Sequence, residues 1–425
     1  MSAPHASGAT ADALVARYRP VFDKIAGGAA ERERTRTLPV EQVGWLRESG
    51  FTAVRVPAAH GGAGAGLPAL FALLVELSAA DPNVAQALRG HFAFVEDRLY
   101  AADSDDRDEW LARFAAGEIV GNGVTEIGVV ALGDTATRLH PDGADWVITG
   151  RKYYTTGSIF ADWIDATALT PDGTEVAALV ANVPGPVTVT DDWAGFGQRL
   201  TGSGTAVFDR ATVRAAHVYE FAGRFPYQTA FYQAVLNAVL AGIAVAVERD
   251  LAAAIARRTR GYSHANTPLV RDDPQVLELA GRVSAQAFAA QAAVEKTAWL
   301  LQAAADTRSR GAPDEVASAK RDAELASAKA QIVVGEAAVA AASVLFDALG
   351  ASATDTAAAL DRHWRNARTV RSHNPVPFKA RIVGDAVVNG TEPPYEWYVG
   401  TPRPRVRPGS AELPACPHQI TGNSS

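Results

Sequence analysis

Three alanine-rich stretches, 227–260, 274–306 and 313–349, constrain this chain more than anything else in it. Each carries apolar residues at helical spacing over a length that no strand reaches. Asp273-Pro274 and Pro313-Asp314 suit helix starts, since the fixed φ and missing N–H of proline cost nothing in a first turn. Gly350 suits a helix stop. No fixed repeat period joins the stretches, so they predict a bundle of long helices, not a solenoid. Their alanine-rich surface exceeds what one chain can cover. It predicts a homotetramer, a dimer of dimers through that bundle.

Ahead of the bundle the pattern changes twice. Residues 1–118 read as a helical domain, with "LPALFALLVELSAA" (67–80) broken by Asp81-Pro82. The glycines of "HGGAGAG" (60–66) make a loop, because no Gly-Lys-Ser/Thr signature surrounds them. Residues 119–222 read as a β domain. Two "PDG" turns, at 141–143 and 171–173, lie between β-prone runs and mark hairpins. Helices return over 223–400. Residues 401–425 form a proline-rich polar tail, expected to be flexible. The fold class is therefore α+β and multidomain.

Several function classes drop out. The net charge is −7, which disfavours nucleic-acid binding. Arginine clusters at 257–260 and 362–371 suit a phosphate or a subunit interface instead. The one cysteine, Cys416, allows no disulfide framework and no cysteine-based metal site within one chain. "MSAPHASGAT" is not a signal peptide. The apolar run 234–247 is too short to span a bilayer and contains Asn237, so a soluble cytoplasmic protein with no membrane partner is expected. Without βαβ alternation or a G-x-G-x-x-G turn, a nicotinamide-binding domain is not expected.

One segment stands apart. "RKYYTTGSIFADW" (151–163) packs hydroxyls and aromatic rings together, as a wall for a flat, partly polar object would. Within it Tyr154 and Thr156 alternate on one face if the strand continues, and Ser158 continues that face. Gly157 allows close backbone approach. The same residues also fit an ordinary Thr-rich strand end with core aromatics.

The order helix, β domain, bundle resembles the acyl-CoA dehydrogenase fold: an N-terminal helical domain, a central β-barrel-like domain and a C-terminal four-helix bundle. "GNGVTEIG" (121–128) resembles the segment that opens that family's β domain. "ITGRKYYTTGSIFADW" (148–163) resembles its strand at the flavin. "GQRLTGSGTAVFDRATV" (197–213) and "LDRHWRNART" (360–369) resemble two further motifs. The likeness runs over roughly 35–395. "DDWAGFGQR" and "DRHWRNARTVRSHNPV" look closest to the two-component flavin monooxygenases of the dibenzothiophene monooxygenase group.

That resemblance implies FMN, delivered as FMNH2 by a separate NAD(P)H:flavin reductase, with FAD as an alternative. It implies a C4a-hydroperoxyflavin formed with O2 and oxygenation of a small substrate at sulfur, nitrogen or aromatic carbon. The family's dehydrogenases carry a glutamate base, and the alignment places Asn374 there. An amide cannot be that base. The helix 229–244 has no carboxylate either, nor does the chain between Asp361 and Asp385. Two readings compete with the monooxygenase: an acyl-thioester dehydrogenase or oxidase, and a catalytically silent binding protein.

The resemblance also suggests roles for individual residues. Tyr154 and Trp193 would wall the flavin ring, and Thr156 would donate to its N5/C4a edge, with Gly157 and Ser158 beside it. Asn122 and Thr125 would face the ring from the opposite segment. His91 and His373 would handle protons, histidine titrating near neutrality. Arg258 and Arg260 would reach the phosphate of a neighbouring subunit's flavin. Ser352 and Thr354 stand where some relatives carry a phosphate-binding arginine. Taken without the resemblance, His91 also fits a satisfied core histidine, Asn122 a loop amide bonding its own backbone, and Trp193 a loop anchor.

Overall fold

The computed structural model describes residues 10–128, 135–221, 224–309 and 311–397. The tail expected at 401–425 lies outside them. Among the described residues seven helices come first: α1 (Ala11–Ala26), α2 (Ala29–Thr35), α3 (Val40–Glu48), α4 (Leu67–Ala80), α5 (Pro82–Ala87), α6 (Arg89–Tyr100) and α7 (Asp105–Ala115). Asp81 ends α4 and caps α5, its carboxylate accepting from the Asn83 amide. The break read from Asp81-Pro82 is thus a corner between two helices, and it aims the start of α6 at the β domain.

Eight strands follow among the described residues: β1 (Val120–Gly123), β2 (Arg138–Asp142), β3 (Asp145–Tyr153), β4 (Trp163–Leu169), β5 (Glu175–Ala181), β6 (Val187–Thr190), β7 (Thr205–Val213) and β8 (Val218–Glu220). They form one sheet in the order β6-β7-β3-β2-β4-β5-β8, with β1 parallel to β4. Both "PDG" turns join antiparallel neighbours, β2 to β3 and β4 to β5. β5 and β7 approach each other although they are not paired, so the sheet curls. Its inner face holds a core of its own, with Ile148, Ile164 and Phe208 at its centre.

The bundle is built from α8 (Gln228–Arg257), α9 (Pro274–Asp306), α10 (Pro313–Leu349), α11 (Asp361–Arg371) and α12 (Val376–Asn389). α9 and α10 begin at the two prolines and α10 stops at Gly350, where the sequence places those ends. α8 packs between α4, α9 and α10, and one core runs through the N-terminal helices and the bundle. The apolar run 234–247 is therefore not a short segment. It belongs to a 30-residue helix long and apolar enough to cross a membrane, but 89% of its apolar window is buried within the protein. Its hydrophobicity serves the core.

Buried ion pairs and a hydrogen bond pin the three regions together. Arg32 binds Asp81, Arg365 binds Glu33, and the Gln198 amide donates to Asn366 at 2.6 Å. His363 meets Asp250 at 2.9 Å while burial holds its pKa down near 4. The "RNAR" helix α11 is thereby fixed against both earlier domains.

Candidate functional site

The wall of hydroxyls begins where β3 ends. Tyr153 is its last residue, and Tyr154 has φ 64°, a left-handed conformation that stops the strand. The alternation expected to place Tyr154, Thr156 and Ser158 on one strand face therefore does not hold. The chain turns instead, through Gly157 at φ 83°, into a short 3-10 helix, Ser158–Phe160. The turn is docked on the loop before β7: Thr155 donates to the Gly204 carbonyl and the Gly157 amide to that of Thr201. A Cβ at Gly157 would lie 1.9 Å from the Ala87 carbonyl oxygen. The close approach inferred from the sequence is to α5.

Tyr154 is 44% exposed and meets Trp193 edge-on at 5.9 Å. Trp193 donates to the Gly197 carbonyl and lines an open groove with Arg36, Phe196 and Arg365. The two rings form one aromatic rim. Thr156 is buried behind it.

Thr156 ends a chain of hydroxyls whose direction is fixed. Each hydroxyl has one hydrogen to give. Thr201 gives its own to the Gln198 carbonyl, so Ser203, 2.7 Å away, must donate to Thr201. Thr156, 2.6 Å from Ser203, must then donate to Ser203. With that hydrogen spent, Thr156 can only accept from a further partner, the reverse of the expected donation to the flavin edge. Ser158 is likewise committed, donating to the Asn122 carbonyl at 3.0 Å.

Asn122 faces this turn from β1. Its Nδ2 donates to the Tyr154 carbonyl, while its Oδ1 is buried with no partner among the described residues. An orphaned buried acceptor is costly unless a ligand uses it. The Thr125 carbonyl accepts from Tyr153 and holds the β1 extension against β3. Lys152, fully buried, binds Glu126 at 2.7 Å and locks the same junction.

α8 and the α11–α12 turn supply a wall of amides. Asn374 donates to Gln233 at 2.8 Å, Gln233 to Asn237 at 3.0 Å, and Asn237 to the Ser327 carbonyl at 3.1 Å. None of these groups ionises in the working pH range. His373, beside Asn374, is exposed, yet its pKa is held down near 3, first by desolvation and then by the positive charge of Arg89. At neutral pH the ring is uncharged. His91 is placed differently. It is fully buried, its Nε2–H donates to the Thr52 carbonyl at 2.8 Å, and its Nδ1 accepts from the Val120 amide at 3.3 Å. Burial holds its pKa near 4. With both nitrogens committed, it fastens β1 to the N-terminal domain and has none to offer a proton.

The four phosphate candidates gather elsewhere. Arg258 donates to the Leu349 carbonyl, close to Gly350, so the 350–354 turn with Ser352 and Thr354 lies beside it. Thr354 gives its hydroxyl hydrogen back to Ala351. Arg260 and Ser352 are exposed. This cluster sits at the far end of α8 from Gln233. The two ends are 24 residues apart (257 less 233), roughly 36 Å at about 1.5 Å each.

Sequence reading missed Arg89, Ser203, Tyr232 and Gln233. Arg89 had a visible signal, a charge within "ALRGHFAF". Tyr232 and Gln233 show their place only once α8 is laid against α6 and the α11–α12 turn.

The sequence of α1–α7 matches the acyl-CoA dehydrogenase N-terminal domain over residues 11–118, and that of the bundle matches the C-terminal domain over 234–377. The chain belongs to the acyl-CoA dehydrogenase family. Within that family it falls with the flavin monooxygenases. It is 27% identical over 387 residues to dibenzothiophene monooxygenase of Mycolicibacterium goodii, covering 87% of this chain and 89% of that one. It is 27% identical over 402 residues to a probable FMNH2-dependent monooxygenase of Pseudomonas putida, covering 89% and 96%. Its fold superposes on FMN-bound TdsC from Paenibacillus with a TM-score of 0.81 at 25% identity, over 89% of this chain and 98% of that one.

Proposed function

We propose that this protein is a two-component monooxygenase. It takes FMNH2 from a separate NAD(P)H:flavin reductase and inserts one atom of O2 into a small molecule at sulfur, nitrogen or aromatic carbon. The other atom leaves as water and FMNH2 is oxidised to FMN. The observation that carries this reading is the amide pair Asn374–Gln233, standing where the family's dehydrogenases need a carboxylate base. A chain of neutral amides removes no proton from a thioester.

The residues present fit a flavin ring. Bound FMNH2 would supply the two electrons and the site of O2 activation. With its hydrogen given to Ser203, Thr156 can accept a ring N–H, which reduced flavin has at N5 and oxidised flavin lacks there. The Asn122 Oδ1 offers a second unused acceptor, Tyr154 and Trp193 an aromatic rim, and His373 a neutral imidazole beside Asn374. Thr125 and Ser158 hold the wall in shape.

Arg258, Arg260, Ser352 and Thr354 would take the phosphate of a flavin whose ring lies on another subunit. About 36 Å of α8 separates this cluster from the Gln233–Asn374 amides, more than one FMN spans, which supports a pairing between chains. This arrangement and the exposed Leu277, Phe288 and Trp299 along α9 support a homotetramer. We place the enzyme in the cytoplasm, where reductase and nicotinamide cofactor are at hand.

The test supplies a flavin reductase, NADH, FMN and ¹⁸O2 to the purified protein with a panel of sulfur, amine and aromatic substrates. One ¹⁸O atom per product is expected, and none without the reductase. Anaerobic reduction of bound flavin by a saturated acyl-CoA would overturn the reading. A monodisperse monomer by light scattering at micromolar concentration would overturn the shared site.

A further inference from the structure

Arg89 opens α6 with its side chain only 8% exposed. The other deeply buried arginines have carboxylates: Arg32 meets Asp81 at 2.8 Å, Arg55 meets Glu96 at 2.6 Å, Arg98 meets Asp97 at 2.6 Å, and Arg224 meets Asp165 at 2.7 Å. Arg89 has no carboxylate and no hydrogen-bond acceptor among the described residues, and its Nε is buried without a partner. Its one neighbour of note is the Tyr232 ring, with the guanidinium carbon 5.2 Å from the centroid. Tyr232 remains a neutral phenol at working pH, because burial pushes its pKa up to about 12. His373 and the amides contribute no negative charge.

The position makes this more costly still. Arg89 is the first residue of a helix, where the macrodipole already disfavours a cation. A buried charge without a counter-ion is among the most destabilising features a fold can keep. Such charges persist where a ligand balances them. The neighbouring residue, Gly90, packs on Asn122: a Cβ there would be 3.0 Å from Asn122 Oδ1. Arg89 therefore stands next to the wall built for the flavin ring, on the side of α8 and His373.

We propose that Arg89 is the anchor for an anionic group on the substrate. The substrate class is a small organic acid, a carboxylate, sulfinate or sulfonate, held by two guanidinium N–H groups while its oxidisable atom faces the wall at Asn122 and Thr156. The planar fork suits such oxyanions in a way that a lysine would not. Tyr232 keeps the guanidinium in place from beneath. The proposal rests on the monooxygenase reading for the oxygenation of the bound acid, but not for the binding itself.

The experiment is a calorimetric titration of the full-length protein, loaded with FMN, against benzoate, benzenesulfinate and methanesulfonate, with benzamide as the neutral counterpart of benzoate. Wild type should bind at least one of the anions, more tightly at low salt, and benzoate more tightly than benzamide. Arg89→Met should weaken anion binding by about 10- to 100-fold and change benzamide by less than about twofold. Arg89→Lys should keep part of the affinity. Arg89→Met should melt no lower than wild type, because an uncompensated charge has been removed. Four results would overturn the proposal. They are binding of no anion in the series, equal binding of benzoate and benzamide by wild type, anion binding intact in Arg89→Met whatever its FMN affinity, or a fall in melting temperature with loss of both ligands. None of these involves turnover, so ¹⁸O2 incorporation can succeed or fail separately.

Discussion

Thr156→Val separates the hydroxyl at the turn from the shape around it. The Val methyl fills the place of Oγ1, so the turn keeps its packing. Ser203 still donates to Thr201 at 2.7 Å but no longer receives the hydrogen of Thr156. One buried oxygen is left without its donor, costing about 1–3 kcal/mol of stability. The larger effect falls on the flavin. An acceptor for a ring N–H is worth about 1–1.5 kcal/mol, or roughly 5- to 12-fold in affinity. That gain applies to reduced FMN alone, since oxidised FMN has no N5–H to give. Thr156→Val should therefore weaken FMNH2 binding by that factor and leave oxidised FMN nearly unchanged. Product formed per O2 consumed should fall and hydrogen peroxide should rise to match. Ser203→Ala should act differently: it releases the hydrogen of Thr156, which then suits oxidised FMN better than reduced. Thr156→Ser keeps the relay and should resemble wild type. The assays are equilibrium titration of oxidised and dithionite-reduced FMN and a peroxide-to-product ratio under turnover. If Thr156→Val leaves both the affinity ratio and the peroxide ratio unchanged, the hydroxyl chain is structural and the directional argument is wrong.

Gly157→Ala should cost at least about 3 kcal/mol or abolish soluble expression, since the new Cβ falls on the Ala87 carbonyl and the φ of 83° strains any L side chain. Solubility and a urea melt decide it; a midpoint near wild type would mean that the turn can leave α5. His91 is neutral when folded down to about pH 4 but accepts a proton below about pH 6.5 when unfolded. Its contribution is full above pH 6.5 and is lost as the pH falls towards 4, by about 1.4 kcal/mol per unit. The stability advantage of wild type over His91→Gln in urea melts should shrink over that range, and a constant gap would refute the buried neutral tautomer. Arg260→Ala should weaken FMN binding about tenfold or more with an unchanged melting temperature, because the Arg260 guanidinium is exposed and bonds nothing in its own chain among the described residues. Unchanged FMN affinity would remove Arg260 from the phosphate site.

The sequence disclosed the bundle well because local signals agreed there. Alanine-rich helical spacing, the prolines at 274 and 313 and Gly350 all set the same boundaries. Asp81-Pro82 and both "PDG" turns were legible for the same reason. The turn at 154–158 was not. A Tyr-Thr-Thr run favours extended structure, and only contact with α5 and the 201–204 loop imposes the positive φ at Tyr154 that ends the strand. His91 and His373 look equivalent on paper. One lost its freedom to two backbone partners 29 and 39 positions away, which no local pattern encodes. Arg89 shows the opposite limit: its charge was visible, but its lack of a carboxylate is a fact about every neighbour at once.

The length of α8 bears on inheritance as well as on binding. With the Gln233–Asn374 amides at one end and the arginine cluster at the other, a subunit on the proposed arrangement owns two halves of two different sites. A lesion in the wall and a lesion in the cluster then damage different partners of the same pair. In a mixed dimer of the two mutants, one site collects both defects and the other collects none. A mixed dimer would regain about half the activity of the intact dimer, and two inactive alleles expressed together and pairing at random about a quarter, whereas two lesions in the wall would regain nothing.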